Sequence, residues 1–276
     1  MPATAKRPGT LTARDISGHY DDFAWAYRLY WGDHIHHGLF TSGDETPEQA
    51  QEKMLRHCAL QAGVSSGMSV ADVGCGHGGT SRFLATEYSC AVVGLTISEE
   101  QLKIARRLSR SLNGSGSARF ELGNAETFAF PPAKFDLVWN MESSEHFFDK
   151  AAYFQRAAKA LKPGGTLMVA AWTGSMEDEL IRDIAEAFLC PQLQTAGQYT
   201  EQIEAAGMKV IHNEALAAEV APTWDICSQH ARTAQPLLPM LPAKFREFAQ
   251  GIELMRAGYR NGQLIYSVIV ARKSGA

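Results

Sequence analysis

The period of the hydrophobic pattern changes several times along the chain, and each change marks a predicted element. Between residues 12 and 30 aromatic positions recur at helical spacing, with Phe23, Tyr27 and Tyr30 followed by Trp31. Thr46-Pro47-Glu48 reads as a second helix start, with a threonine cap, proline at the first position and an acid in the first turn. Its periodicity runs to Ala62, and Gly63 stops it. Short apolar runs then predict strands over residues 69–73, 91–95, 118–122, 135–139 and 166–172. Helical patterns over 80–87, 98–112 and 150–161 separate them, with a loop at 113–117 and a turn at Pro163-Gly164-Gly165. Strands alternating with helices predict a parallel sheet covered on both faces.

Beyond residue 173 the pattern is less regular. Residues 199–206 read as helix, 208–213 as a strand and 264–271 as a final strand. Pro222, Pro236, Pro239 and Pro242 punctuate a helical stretch between those strands. Residues 213–262 therefore read as an insertion placed to cap a site. The expected division is a tail and helical lid over 1–62 and a catalytic domain over 63–276.

Composition narrows the classes. A chain of 276 residues fits one large domain with an accessory region. With 45% hydrophobic and 20% charged residues it is no disordered chain. No apolar run approaches the roughly 20 residues that span a bilayer. The opening residues are basic but lack an apolar core, so no secretory signal is expected. A net charge of -4 argues against a nucleic-acid partner. Five scattered cysteines without a C-x-x-C pair predict neither disulfides nor zinc, and they fit a reducing cytoplasm.

The central motif is Asp72-Val73-Gly74-Cys75-Gly76-His77-Gly78-Gly79. It follows a predicted strand and opens a predicted helix, so its glycines permit a tight turn and close ligand approach. A phosphate loop would carry a lysine before Thr80. A dinucleotide site would carry an acid at the end of the second strand, where Thr96 stands; this disfavours an NAD enzyme. The acid precedes the first glycine instead.

This D-x-G-x-G-x-G arrangement resembles the first motif of class I S-adenosylmethionine (SAM) methyltransferases. Gly123-Asn124-Ala125-Glu126 and Leu161-Lys162-Pro163-Gly164-Gly165 follow in the order typical of that superfamily, with Asn124 where an aspartate is commoner. Tyr30–Phe40, Gly94–Ser98 and Trp139–His146 are similar to the tocopherol and sterol C-methyltransferase branch, and more distantly to cyclopropane-fatty-acid synthases. The resemblance implies a mainly parallel seven-stranded sheet with an antiparallel last strand, SAM as cofactor and S-adenosylhomocysteine (SAH) as product. It implies cofactor contacts from Asp72, Gly74, Gly76, Thr96, Gln101, Asn124, Ala125, Glu126 and Asn140. It also implies that the segment after the first helix closes over the methionine end of SAM.

Three side chains after the fourth strand are candidate catalysts. Were a helical turn to start there, Glu142, Glu145 and His146 would share one face at i, i+3 and i+4. One of them then serves as a base or a cation stabiliser, or the three simply cap and pack the loop. Tyr20, Trp31, His37 and Trp224 are candidate acceptor contacts. His34, His36 and His37 raise the question of a metal, but no further ligand motif accompanies them and none is expected. Cys75 fits a tight turn, and His77 is assigned no side-chain role. Lys150, Arg232 and Arg260 are available to a diphosphate, or are simply solvated. The expected activity is methyl transfer to a small hydrophobic acceptor of phenolic or isoprenoid type, with carbon as the favoured atom. N- or O-methylation is the first alternative, and a non-methylating SAM- or SAH-binding protein or cyclase the second. A homodimer is left open.

Overall fold

The computed structural model describes residues 11–112, 114–234 and 243–275. The tail at 1–10, Asn113 of the predicted loop, and Pro236, Pro239 and Pro242 lie outside the described residues. Seven strands form one sheet: β1 (Ser69–Val73), β2 (Ala91–Thr96), β3 (Ser117–Leu122), β4 (Phe135–Met141), β5 (Leu161–Thr173), β6 (Met208–Ala215) and β7 (Ile265–Lys273). Their spatial order is β3-β2-β1-β4-β5-β7-β6. The five N-terminal strands pair in parallel, and β7 runs antiparallel to both neighbours. The last strand is therefore the reversed one, as expected.

Successive residues of a strand point to opposite faces, so each central strand feeds two cores. Val70, Val92, Leu137, Met168 and Val270 face one layer. Ala71, Val93, Val138, Leu167 and Ile269 face the other. This is why the strands read as continuous apolar runs.

The helices before the sheet begin as their caps dictate. In α1 (Ala13–Trp31) Thr12 and Asp15 form a capping box; in α2 (Pro47–Ala62) Thr46 and Gln49 do the same, and Gly63 ends it in the left-handed conformation. The helices α3 (Gly79–Glu87), α4 (Glu99–Leu108) and α5 (Lys150–Ala160) cross between parallel strands. The fourth helix stops short of residue 112, because a 3-10 turn over Ser109–Ser111 follows it.

Two elements differ from those predicted. Pro163-Gly164-Gly165 is no free turn; it lies within a bulged start of β5, where Leu161 pairs with Phe135 before the register shifts to Leu137–Thr166. The helix α6 (Glu179–Ala187) is absent from the predicted elements although Leu180, Ile181, Ile184, Ala185 and Phe188 recur at helical spacing. Its buried stripe is only Ile181, Ile184 and Ala185, and α10 (Ala243–Arg260) covers it. After α7 (Ala196–Ala205) and β6, the insertion comprises α8 (Ala217–Val220), α9 (Pro222–Ala234) and α10, and it returns directly into β7. Among the described residues no helix is long and apolar enough to cross a membrane.

Candidate active site

A cavity opens at the carboxyl ends of β1, β2, β3 and β4, where open α/β sheets place ligands. The glycine loop forms its floor. Gly74 has a positive φ, and a side chain there would run into Ser143, its Cβ lying 2.2 Å from the Ser143 Cβ. Gly76 also has a positive φ, yet a Cβ there would meet nothing nearer than 3.8 Å. Its bare face looks into the cavity, so a side chain would fill space that a ligand can use.

Thr96, Gln101, Asn124, Ala125 and Glu126 line the same cavity. Thr96 Oγ1 donates to Gln101 Oε1 at 2.8 Å and accepts from the Ser98 N–H at 3.2 Å. Asn124 Oδ1 accepts from the Glu126 N–H at 2.9 Å. The cavity thus combines bare loop backbone, a hydroxyl–amide pair and a polar edge beside the apolar Ile97 and Phe147. These groups match a nucleoside with a charged amino-acid arm, and they fit SAM.

Two residues expected to contact the cofactor, Asp72 and Asn140, are not among those that line the cavity. Asp72 is buried, and its Oδ2 accepts from Ser81 Oγ at 2.6 Å, which ties β1 to α3. Burial pushes its carboxyl up to about 7, against the Ser81 hydrogen bonds. Asn140 is fully buried and donates to Ser143 Oγ at 2.8 Å, and Ser143 in turn donates to the Val73 carbonyl at 2.8 Å. Both residues shape the loop and do not line the cavity.

Glu142, Glu145 and His146 do not share a helical face. The turn after β4 is a 3-10 helix over Ser144–His146, and Glu142 precedes it in the left-handed conformation at φ 49°. That conformation is uncommon for a residue with a side chain. The three groups therefore part company. The Glu142 carboxylate lines the cavity but is saturated. One oxygen accepts from the His37 N–H at 2.7 Å and Tyr266 OH at 2.9 Å. The other accepts from His37 Nδ1 at 2.9 Å and Trp172 Nε1 at 3.0 Å. Burial works to raise this carboxyl, but His37 outweighs it and holds it at about 2. Trp224 Nε1 has only a proton to give and lies 2.6 Å from His37 Nε2, so the His37 proton sits on Nδ1, toward Glu142. Glu142 is an anion locked in a cage with no lone pair left for a proton transfer.

Glu145 is buried; one oxygen accepts from the Trp172 N–H at 2.8 Å and the other has no partner. Burial, and then the Glu142 charge, push its carboxyl up to about 8. His146 lines the cavity, and Tyr20 OH lies 2.8 Å from its Nε2. Its Nδ1 lies 3.2 Å from the Leu189 carbonyl, which can only accept. The imidazole proton therefore sits on Nδ1, and Nε2 keeps a lone pair for Tyr20. Burial lowers the ring's pKa to about 4, so the ring is neutral at physiological pH.

Tyr20 joins Ala13 and Ile16 in bringing α1 to the cavity wall. Asp21 anchors that helix, accepting from Ser98 Oγ at 2.6 Å and the Glu100 N–H at 3.1 Å. Trp31 lines a second, largely apolar cavity with Phe23, Tyr27, Phe248 and the insertion's Ile226 and Ile252. His37 and Trp224 are buried in the Glu142 cage and open to neither cavity. Of the other histidines, His36 Nδ1 bonds the His37 carbonyl at 2.8 Å, and the His34 and His36 ring centres lie 5.3 Å apart. Lys150, expected to be solvated or free for a diphosphate, is buried on backbone carbonyls.

Sequence reasoning passed over the cage donors Trp172, Tyr259 and Tyr266 and the wall residues Ile16, Ile35 and Phe147. The aromatic residues bracketing β5 and β7 were the available signal, but nothing in their spacing points to residue 142.

The profile of the mycolic acid cyclopropane synthetase family matches residues 9–238. A probable chloroplastic tocopherol O-methyltransferase of Oryza sativa subsp. japonica is 30% identical over 94% of this chain and 77% of that protein. The 2-methyl-6-phytyl-1,4-hydroquinone methyltransferase of Synechocystis sp. is 34% identical over 72% of this chain and 67% of that protein. The crystal structure of the mycolic acid cyclopropane synthase CmaA1, complexed with SAH and CTAB, superposes with a TM-score of 0.85 at 22% identity, covering 95% of this chain and 98% of that one. Glycine loop, sheet order and family match agree: the chain belongs to the mycolic acid cyclopropane synthetase family and is a SAM-dependent methyltransferase.

Proposed function

We propose that the chain methylates a small hydrophobic acceptor bearing a phenol ring or an isoprenoid-type tail, with a ring carbon as the favoured methyl acceptor. The Tyr20–His146 pair on the cavity wall carries this reading. SAM, when bound, supplies an electrophilic methyl group. Gly74 and Gly76 would hold its amino-acid arm, Thr96 and Gln101 its ribose, and Asn124, Ala125 and Glu126 its adenine edge. The Glu142 carboxylate gives the cavity a fixed negative charge that suits a cationic cofactor.

The base is neutral and aimed. Tyr20 gives its hydroxyl proton to His146 Nε2 as it accepts one from a phenolic acceptor. The phenolate that results pushes electron density to the carbons beside and opposite its oxygen; after methyl attachment the pair returns its proton to the dienone oxygen and, neutral again, takes the ring proton, which restores the phenol. The second cavity would take the apolar tail. In this reading α1 is a lid and the insertion a cap, so that 1–62 and 213–262 together shape the acceptor site of the 63–276 domain. Relatives named for a tocopherol, a phytyl-hydroquinone and a demethylrifamycin support an acceptor of this class. Five free, buried cysteines support a reducing, cytoplasmic setting.

O-methylation is the second reading, favoured by relatives named as O-methyltransferases. The same proton path serves it, because it too begins with a phenolate. Incubation with methyl-13C SAM and a panel of phenols and prenylated hydroquinones, followed by NMR of the product, separates the two. An aryl-methyl signal supports carbon, and a methoxy signal replaces it with oxygen. Tight SAM binding with no methylated product from any phenolic or isoprenoid acceptor overturns the acceptor class.

A further inference from the structure

Lys150 opens α5 and is buried at 3% exposure. Burying an ammonium is costly unless hydrogen bonds replace its water. Its Nζ donates to the Phe147 carbonyl at 2.9 Å and the Gln192 carbonyl at 2.8 Å. Those carbonyls belong to the two segments that meet at His146. Phe147 follows the 3-10 turn that carries His146, and Gln192 lies three residues beyond Leu189. Leu189 has φ 54°, a left-handed conformation that helix ends usually give to glycine. In that conformation its N–H bonds the Glu186 carbonyl at 3.2 Å, while its own carbonyl accepts from His146 Nδ1.

We propose that Lys150 is a positioning residue for His146: by binding the Phe147 and Gln192 carbonyls together it fixes the segment whose Leu189 carbonyl keeps the imidazole proton on Nδ1 and the lone pair on Nε2. The inference rests on the reading of His146 as the base. Other groups also face the ring. They are Tyr20 from α1 and Cys190, with Sγ 3.9 Å from Nδ1. Neither demands the Nδ1 proton; the Leu189 carbonyl does, because it can only accept. The charge on Lys150 also opposes protonation of the ring.

The test is histidine 15N NMR of the full chain, with His146→Gln identifying the signal. The wild type is expected to show a neutral Nδ1–H ring. In Lys150→Met, with folding verified by circular dichroism, a mixture of Nδ1–H and Nε2–H forms is expected. Its kcat should fall roughly ten- to hundredfold with SAM affinity retained. An Nε2–H ring in the wild type overturns the proposal without any variant. So does a folded Lys150→Met that keeps a single Nδ1–H form and its kcat. Should that variant fail to fold, Lys150→Gln, whose shorter amide cannot span both carbonyls, is judged by the same spectrum. The NMR readout needs no acceptor. If Lys150→Met alters the tautomer but His146→Gln leaves turnover intact, the base assignment falls and the positioning role stands.

Discussion

The cavity at the strand ends and the cavity beneath α1 are built in opposite ways. The first is made of backbone and short polar groups that sit where parallel strands stop, so its shape follows from the sheet itself. The second is made of aromatic rings of α1 and α10 and smaller side chains of α9, elements brought together by side-chain packing away from the sheet. One region is fixed by hydrogen bonds with direction, the other by apolar packing with little. A cofactor common to many acceptors suits the first construction, and an acceptor peculiar to one enzyme suits the second. Tyr20 and His146 both line the first cavity, Tyr20 from the helix that also walls the second.

That contrast is open to direct attack. The largest effect is expected from His146→Gln, which removes the proposed base without touching the glycine loop. Methyl transfer should drop by about 10²–10⁴-fold, while SAM affinity measured by calorimetry stays at the wild-type value. A parallel loss of SAM binding would erase the boundary between the two regions. Next comes Glu142→Gln. The amide offers an N–H to donors that need an acceptor, so denaturant unfolding should show a stability loss of about 3–5 kcal/mol. A wild-type midpoint would show that the cage contributes nothing to the fold.

Glu145 gives a pH test. Its folded pKa, about 8, lies above its unfolded value, so the folded state binds this proton more tightly. Its stabilisation is fully present below the unfolded carboxyl range and is lost as pH rises through about 8. Asp72, raised to about 7, adds in the same direction. Stability should therefore fall between about pH 6 and 8, by no more than about 1.4 kcal/mol per pH unit for each proton. Glu145→Gln should flatten part of that slope in a series of melting curves, and an unchanged slope would reject the assignment. The smallest effect belongs to Thr96→Val. Loss of one hydroxyl in the cofactor cavity should weaken SAM binding by about 1 kcal/mol and leave kcat at saturating SAM unaltered. A fall in kcat of the size expected for His146→Gln would place catalysis in the wrong region.

The same contrast explains what could be read from the residues alone. Strand ends, the glycine loop and the Thr96–Gln101 pair are local in sequence, so spacing reveals them. Asp72 and Asn140 were legible as important residues but not as buried braces, because burial depends on what packs above them. The cage was not legible at all. Glu142 and His37 are 105 positions apart, and Trp224 stands 187 positions from the ring it binds. Lys150 looked like any surface lysine at the start of a helix. Its two carbonyl partners come from turns, and turn carbonyls carry no sequence signature. The helix α6 is a different case: Leu180, Ile181, Ile184, Ala185 and Phe188 stand at helical spacing, so it was legible in the residues and was passed over.

The insertion has a further consequence. It leaves the sheet at Ala215 and re-enters at Ile265, and Ala215 pairs with Ser267 across the antiparallel strands β6 and β7. Its two feet thus stand one strand spacing apart, like those of a hairpin turn. Loop-closure entropy rises only slowly with length. The segment is not free of the rest, however: Trp224 and Tyr259 within it reach His37 of the Glu142 cage, and α10 packs on α6, so a change of length is absorbed at its feet only while those contacts are kept. A change in the walls of the second cavity is therefore felt at the Glu142 cage through the same two rings, which couples the two regions.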